Sequence, residues 1–139
     1  MIIMAVDYGD VRTGLAVCDK NEILASPVMV IKEIDRDNLI DKIVSQANER
    51  KVQSFVVGLP KNMDGSEGFR AEACRDFGEK LKEVSGLDVE YYDERLTTVS
   101  AHLALNMTDT RGKKRKAVVD AVSAVMILED YMAHRRNSK

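Results

Sequence analysis

The sequence is sparing with several residue types, and each scarcity removes a class of protein. Of its 139 residues only two are cysteines, Cys18 and Cys74, and they form no C-x-x-C pair. A disulfide framework is not expected; free thiols in the core of a protein from a reducing compartment are. The two histidines, His102 and His134, share no metal-ligand spacing, which argues against a zinc site. Apolar runs are short: Ala124 to Leu128 is followed at once by Glu129, whereas a span across a bilayer needs roughly 20 apolar residues. Residues 1–6 carry no positive side chain and run into Asp7, so they read as a buried strand and not as a secretory signal. A cytoplasmic protein without membrane contact is therefore expected. No repeat and no low-complexity linker divides the chain, and its length suits one domain over residues 1–139.

Neither sign of charge dominates. A formal net charge of -2 excludes a uniformly basic nucleic-acid binder, but the cations are unevenly placed. Five of the six residues from Arg111 to Lys116 are basic, and His134, Arg135, Arg136 and Lys139 add a second group at the end of the chain. Such a stretch can meet phosphates, or it can be a solvated loop. Its glycine and its charge density predict a mobile loop that orders on substrate.

Hydrophobic periodicity gives the elements. Continuous apolar or alternating runs predict strands at 2–6, 13–18, 28–31, 55–59 and 89–92. Apolar residues at helical spacing predict a first helix through Leu39, Ile40, Ile43, Val44 and Ala47. A second should run through Phe69, Ala73, Phe77, Leu81 and Val84 and end near Gly86. Two more are expected over about 96–107 and 116–133. Three strands in a meander followed by an αβαβαα run make a mixed five-stranded sheet flanked by helices, an α/β fold. In open sheets of this kind ligands gather beyond the carboxyl ends of parallel strands.

Acids stand at those ends. Asp7 closes the first strand, and Asp93-Glu94 closes the fifth. Asp120 is the sole charge in the twelve residues from Ala117 to Leu128, on one helical face with Ala124 and Ile127. A carboxylate in such surroundings needs a cation, a hydrogen-bond donor or a metal. A salt bridge to Arg12 or Arg95, or a helix N-cap, would satisfy any one of them. Three acids converging on one sheet edge favour a shared hard cation, Mg²⁺ or Mn²⁺. Two such ions about 3.5–4 Å apart can activate water and stabilise a leaving oxygen in phosphodiester hydrolysis. Spacing alone leaves open whether Asp93 or Glu94 is the ligand.

The segment Asp7-Tyr8-Gly9-Asp10-Val11-Arg12-Thr13-Gly14 brings backbone close to an anion at a tight turn. Sugar-kinase and actin-like ATPases use a similar hairpin but need two such lobes, and this chain has one. Neither a Walker A loop nor a G-x-G-x-x-G fingerprint is present. After the fourth strand, Pro60 and Asp64-Gly65 carry stop and turn chemistry, and Lys61 and Asn62 are placed to touch phosphate or sugar. Arg95 can neutralise the acids or hold a phosphate, and Thr97 or Thr98 can cap a helix.

Four blocks in order, at 7–16, 57–65, 93–98 and 116–129, resemble the YqgF family of pre-16S rRNA nucleases and RuvX-type Holliday junction resolvases. They are Asp-Tyr-Gly-x-x-Arg-x-Gly-x-Ala, Val-Gly-Leu-Pro-x-x-x-Asp-Gly, Asp-Glu-Arg-x-Thr-Thr, and Lys-x-x-x-Asp followed by Ala-Val-x-Ala-Val-x-Ile-Leu-Glu. Ala121 departs from the serine many members carry. The resemblance implies a ribonuclease H-like fold and metal-dependent cleavage of structured nucleic acid. It places the catalytic, metal-binding acids on Asp7, Glu94 and Asp120. Arg12, Lys61, Asn62, Arg95, Lys113, Lys114, Arg115 and Lys116 are the expected nucleic-acid contacts. Pre-16S rRNA and four-way DNA junctions are the two substrate classes it implies, with the protein a monomer or homodimer. A non-catalytic nucleic-acid-binding module and a nucleotide phosphohydrolase are the competing readings.

Replacing Lys113, Lys114, Arg115 and Lys116 with Ala should weaken nucleic-acid binding. It should also flatten the log–log salt dependence by about 0.9 for each duplex phosphate contact removed. Anisotropy titrations across a salt series test this, and an unchanged slope assigns the run to solvent.

Overall fold

The computed structural model describes residues 1–60, 68–93 and 112–137, with side chains over 122–136 in the last segment. Its strands are β1 (Ile3–Asp7), β2 (Arg12–Cys18), β3 (Ala25–Lys32), β4 (Ser54–Leu59) and β5 (Asp88–Asp93). Its helices are α1 (Arg36–Glu49), α2 (Phe69–Ser85) and α3 (Gly112–Asn137). The strands form one sheet in the order β3-β2-β1-β4-β5. β1 pairs antiparallel with β2 and β2 with β3, while β1, β4 and β5 run parallel. This is the mixed five-stranded sheet that the periodicity predicts. The helix expected over 96–107 lies outside the described residues.

β1 is central because both its faces are apolar. Ile3, Met4, Ala5 and Val6 have no solvent exposure. Met4 and Val6 pack with Leu39, Ile40 and Ile43 of α1 and with Phe77 and Leu81 of α2. Ile3 and Ala5 pack on the other side with Ala124, Ile127, Leu128 and Met132 of α3. A continuous apolar run fits a strand covered on both sides. Cys18 and Cys74 are buried free thiols, as expected. No helix among the described residues is long and apolar enough to cross a membrane.

Local signals set the helix ends. Asp35 caps α1 by accepting from the Asn38 amide at 3.1 Å. Gly86, at φ +73°, ends α2 in the left-handed conformation, its N–H donating to Lys82 O at 2.9 Å. The β5 side chain Tyr91 packs on α2 over Gly78, and its hydroxyl donates to Arg75 O at 3.1 Å.

Two sequence-based expectations need correction. Phe69 does not join the buried face of α2 but is 88% exposed, and Val84 is also exposed. The buried row is Ala71, Cys74, Phe77, Gly78 and Leu81, and Phe69 precedes it. The basic run is not a loop, because α3 starts at Gly112 and Lys113 to Lys116 are helical. Lysine and arginine are good helix formers, and propensity carries the helix back through them. The basic group at the chain end has partners of its own. Arg135 Nε donates to Glu22 Oε1 at 2.7 Å, and Arg136 donates to Glu22 O at 3.2 Å. These bonds tie the end of α3 to the β2–β3 turn, at the sheet edge opposite Asp7.

The Arg135 guanidinium holds the Glu22 carboxyl below its ordinary pKa. A depressed native pKa stabilises the fold above the unfolded value, and that gain is lost as pH falls through the native one. Glu22→Gln should therefore cost about 0.5–1 kcal/mol at neutral pH and little at about pH 3. Urea unfolding at both pH values checks this, and an equal loss at each would place the cost elsewhere.

Candidate active site at the carboxyl ends of the parallel strands

The parallel register brings three strand ends to one edge. Val6 lies beside Val57, Gly58 beside Tyr92 and Leu59 beside Asp93. The chain thus leaves β1 at Asp7, β4 at Leu59 and β5 at Asp93 along the same side of the sheet. Asp7 is half-buried, and it follows four residues with no exposure at all.

Strand alternation decides which face each acid takes. Asp7 has the parity of Ile3 and Ala5, which pack against α3. On β5, Val89 and Tyr91 pack toward α1 and α2, while Tyr92 packs toward α3. Asp93 has the parity of Val89 and Tyr91, so it lies on the face opposite Asp7. By strand parity, then, Asp93 does not share a face with Asp7.

α3 crosses the Asp7 face. Tyr131 meets Tyr92 edge-on, with ring centroids 6.4 Å apart at 78°, and Arg135 anchors the far end. Asp120 lies on this same helix, one turn before the buried Ala124, whose side chain packs with Ile3 and Ala5 on the Asp7 face.

Among the expected site residues, Asp7 and Arg12 are described in full. Asp120 and Lys113 to Lys116 are described as helix backbone, and Lys61, Asn62, Glu94 and Arg95 lie outside the described residues. Arg12 opens β2 on the same sheet edge, in register with Lys32 of β3.

The turn after Asp7 is held from several sides. A Cβ on Gly9 would lie 2.1 Å from Arg12 O, so only glycine fits. Thr13, fully buried, bridges the turn with its hydroxyl, 3.3 Å from Gly9 N and 3.5 Å from Gly9 O. The Tyr8 ring stacks on Phe77 of α2 with centroids 4.2 Å apart and planes 7° from parallel. Arg70, in the first turn of α2, donates to Tyr8 O and to Asp10 Oδ1, each at 3.1 Å. Burial raises the Tyr8 hydroxyl pKa, and the Arg36 and Arg70 charges oppose that rise. Sequence reasoning missed Arg70. A signal was present, because a cation in the first turn of a helix opposes the dipole and needs an acceptor nearby.

The RuvX family, described as Holliday junction resolvase, matches residues 1–134. This chain belongs to the RuvX family. Relatives with the name "Putative pre-16S rRNA nuclease" are similar over nearly their whole length. That of Clostridioides difficile (strain 630) is 40% identical over 136 residues, covering 98% of this chain and 96% of the relative. That of Halothermothrix orenii is 41% identical over 135 residues, covering 97% and 96%. Among solved structures, T. thermophilus RuvC in complex with a Holliday junction substrate is 13% identical with a TM-score of 0.64, covering 99% of this chain and 97% of RuvC. The fowlpox virus resolvase with Holliday junction DNA is 12% identical with a TM-score of 0.60, covering 97% and 99%. At such identities the likeness establishes the fold, which is that of the RuvC-like, ribonuclease H-like resolvases.

Gly9→Ala should cost about 1–3 kcal/mol, because a backbone oxygen stands where the methyl would go. It should also depress any activity that depends on Asp7, two residues away. Urea unfolding beside an activity assay tests both, and a variant as stable as wild type would show that the turn relaxes freely.

Proposed function

We propose that this chain is a divalent-metal-dependent nuclease that hydrolyses phosphodiester bonds in structured nucleic acid. Membership of a nuclease and resolvase family makes it a hydrolase acting on ester bonds. The names of its relatives favour processing of pre-16S rRNA as its role, and we infer that it acts on the 5′ end, in the cytoplasm. The observation that carries the reading is Asp7. It is the first polar residue to emerge from a buried central strand, and by strand parity it does so on the face that α3, the helix carrying Asp120, covers.

The donor set fits a hard cation. Asp7 offers carboxylate oxygen, and the described thiols, Cys18 and Cys74, are buried in the core. No cluster of three or more His, Cys, Asp or Glu suited to a metal occurs among the described residues. The partners assigned to Asp7, Glu94 and Asp120, have side chains outside them. Asp93 lies on the other face, which favours Glu94 as the acid of that pair that serves the site. Two Mg²⁺ or Mn²⁺ ions, when bound, would supply an activated water and charge stabilisation at the leaving oxygen. Asp7 would hold them at the end of a rigid strand, with Glu94 and Asp120 completing the set. Arg12, Lys61, Asn62, Arg95 and the helical run Lys113 to Lys116 would take the flanking phosphates and sugars.

A second reading, cleavage of four-way DNA junctions, is favoured by the description of the matching family. A panel of pre-16S rRNA, four-way junctions and single strands, with Mg²⁺ or Mn²⁺, separates the two. Asp7→Asn should abolish cleavage while leaving a folded protein, whereas Asp93→Asn should stay near wild type. Cleavage that survives Asp7→Asn, or is lost equally in Asp93→Asn, would overturn the assignment of these acids.

A further inference from the structure

α2 begins with two residues that the fold itself does not use fully. Phe69 is 88% exposed, although a phenyl ring is normally buried, and it opens α2. Arg70, beside it, is 44% exposed, and its partner Asp10 is 84% exposed. So open an ion pair contributes little stability, and another anion can take its place at small cost. The arrangement adjoins the candidate active site, because the second Arg70 bond goes to the carbonyl of Tyr8, the residue after Asp7. Gly68, the N-cap of α2, adds no side-chain hydrogen bond to the first amides of the helix, where a phosphate is favoured. The Arg36 charge also reaches this corner, at the Tyr8 hydroxyl.

An exposed aromatic ring next to an exchangeable guanidinium suits one ligand in particular. Bases in a duplex stack on each other, whereas an unpaired base offers a free face to an aromatic side chain. The planar guanidinium suits the adjoining phosphate. We propose that Phe69 and Arg70 form a subsite for an unpaired nucleotide beside the scissile bond, Phe69 stacking on its base and Arg70 exchanging Asp10 for its phosphate. This rests on the nuclease reading and deepens it: the substrate carries unpaired nucleotides next to the cut. In the free protein Asp10 occupies Arg70 and must be displaced, so Asp10 weakens binding.

The test is binding without divalent metal, so that nothing is cut, to a single strand, a duplex with a single-stranded tail and a blunt duplex. Phe69→Ala should lose about tenfold on the first two, the scale of one stacked base, and stay within about twofold on the blunt duplex. Arg70→Gln should weaken binding and lower the salt slope by about one phosphate contact, whereas Asp10→Asn should tighten it. The chain has no tryptophan, so Phe69→Trp supplies a single tryptophan, excited at about 295 nm apart from the tyrosines, that bound single strands should quench. Thermal unfolding by circular dichroism confirms that each variant is folded. Equal affinity of wild type and Phe69→Ala for tailed substrates, or equal loss on blunt duplex, overturns the subsite while leaving the nuclease reading intact. Weaker binding by Asp10→Asn overturns the exchange and makes the Arg70–Asp10 pair a brace for the turn. A wild type that neither binds nor cleaves any of the three overturns both readings.

Discussion

The burial of β1 on both faces is the constraint from which the rest of the structure follows. Ile3 to Val6 have no exposure, so each neighbouring layer must be apolar toward them. One face takes α1 and α2, and the other takes α3. The strand can end only where a polar group can reach the surface, and Asp7 is that point. Its carboxylate is fixed by a backbone whose donors and acceptors are taken up on two sides, antiparallel by β2 and parallel by β4. A metal ligand benefits from such rigidity, because its position costs nothing further when charge binds.

α3 serves that centre from a distance. Its far end is tied to the β2–β3 turn through Glu22, Arg135 and Arg136, and its middle is bound to the sheet by Ala124, Ile127, Leu128 and Met132. Those contacts govern how far the helix reaches, and so where Asp120 and the basic run fall relative to Asp7. The two groups of cations that look alike in sequence are therefore unlike in role. One tethers a helix at the edge away from Asp7, and the other begins the same helix at its opposite end.

α2 supports the site in a different way. Tyr8 stacks on Phe77 and Arg70 grips the Tyr8 carbonyl, so the turn after Asp7 is bound to a helix and not left to its own hydrogen bonds. Gly9 permits the tight path, and Thr13 closes it from inside. The same helix presents Phe69 and Arg70 outward, where structural support and substrate contact meet within one turn.

Much of this was legible in the chain itself. Periodicity located the five strands and the described helices, and turn residues such as Gly86 gave their ends, because burial and backbone geometry act locally on sequence. Asp7 stood out for the same reason, as a charge closing an apolar run. Pairing across distance was not legible. Nothing in the order of residues says that Arg135 meets Glu22, that Arg70 reaches Tyr8, or that Phe69 precedes the buried row of its helix. The choice between Asp93 and Glu94 also escaped the sequence, since the two are adjacent in it. It took the packing of Val89, Tyr91 and Tyr92 to show which face Asp93 occupies. The sequence by itself determined the elements, the fold class and the acid at the end of β1, because these depend on local pattern. Only the tertiary structure decided the face of each side chain and the partner of each charge, because these depend on which elements lie against one another.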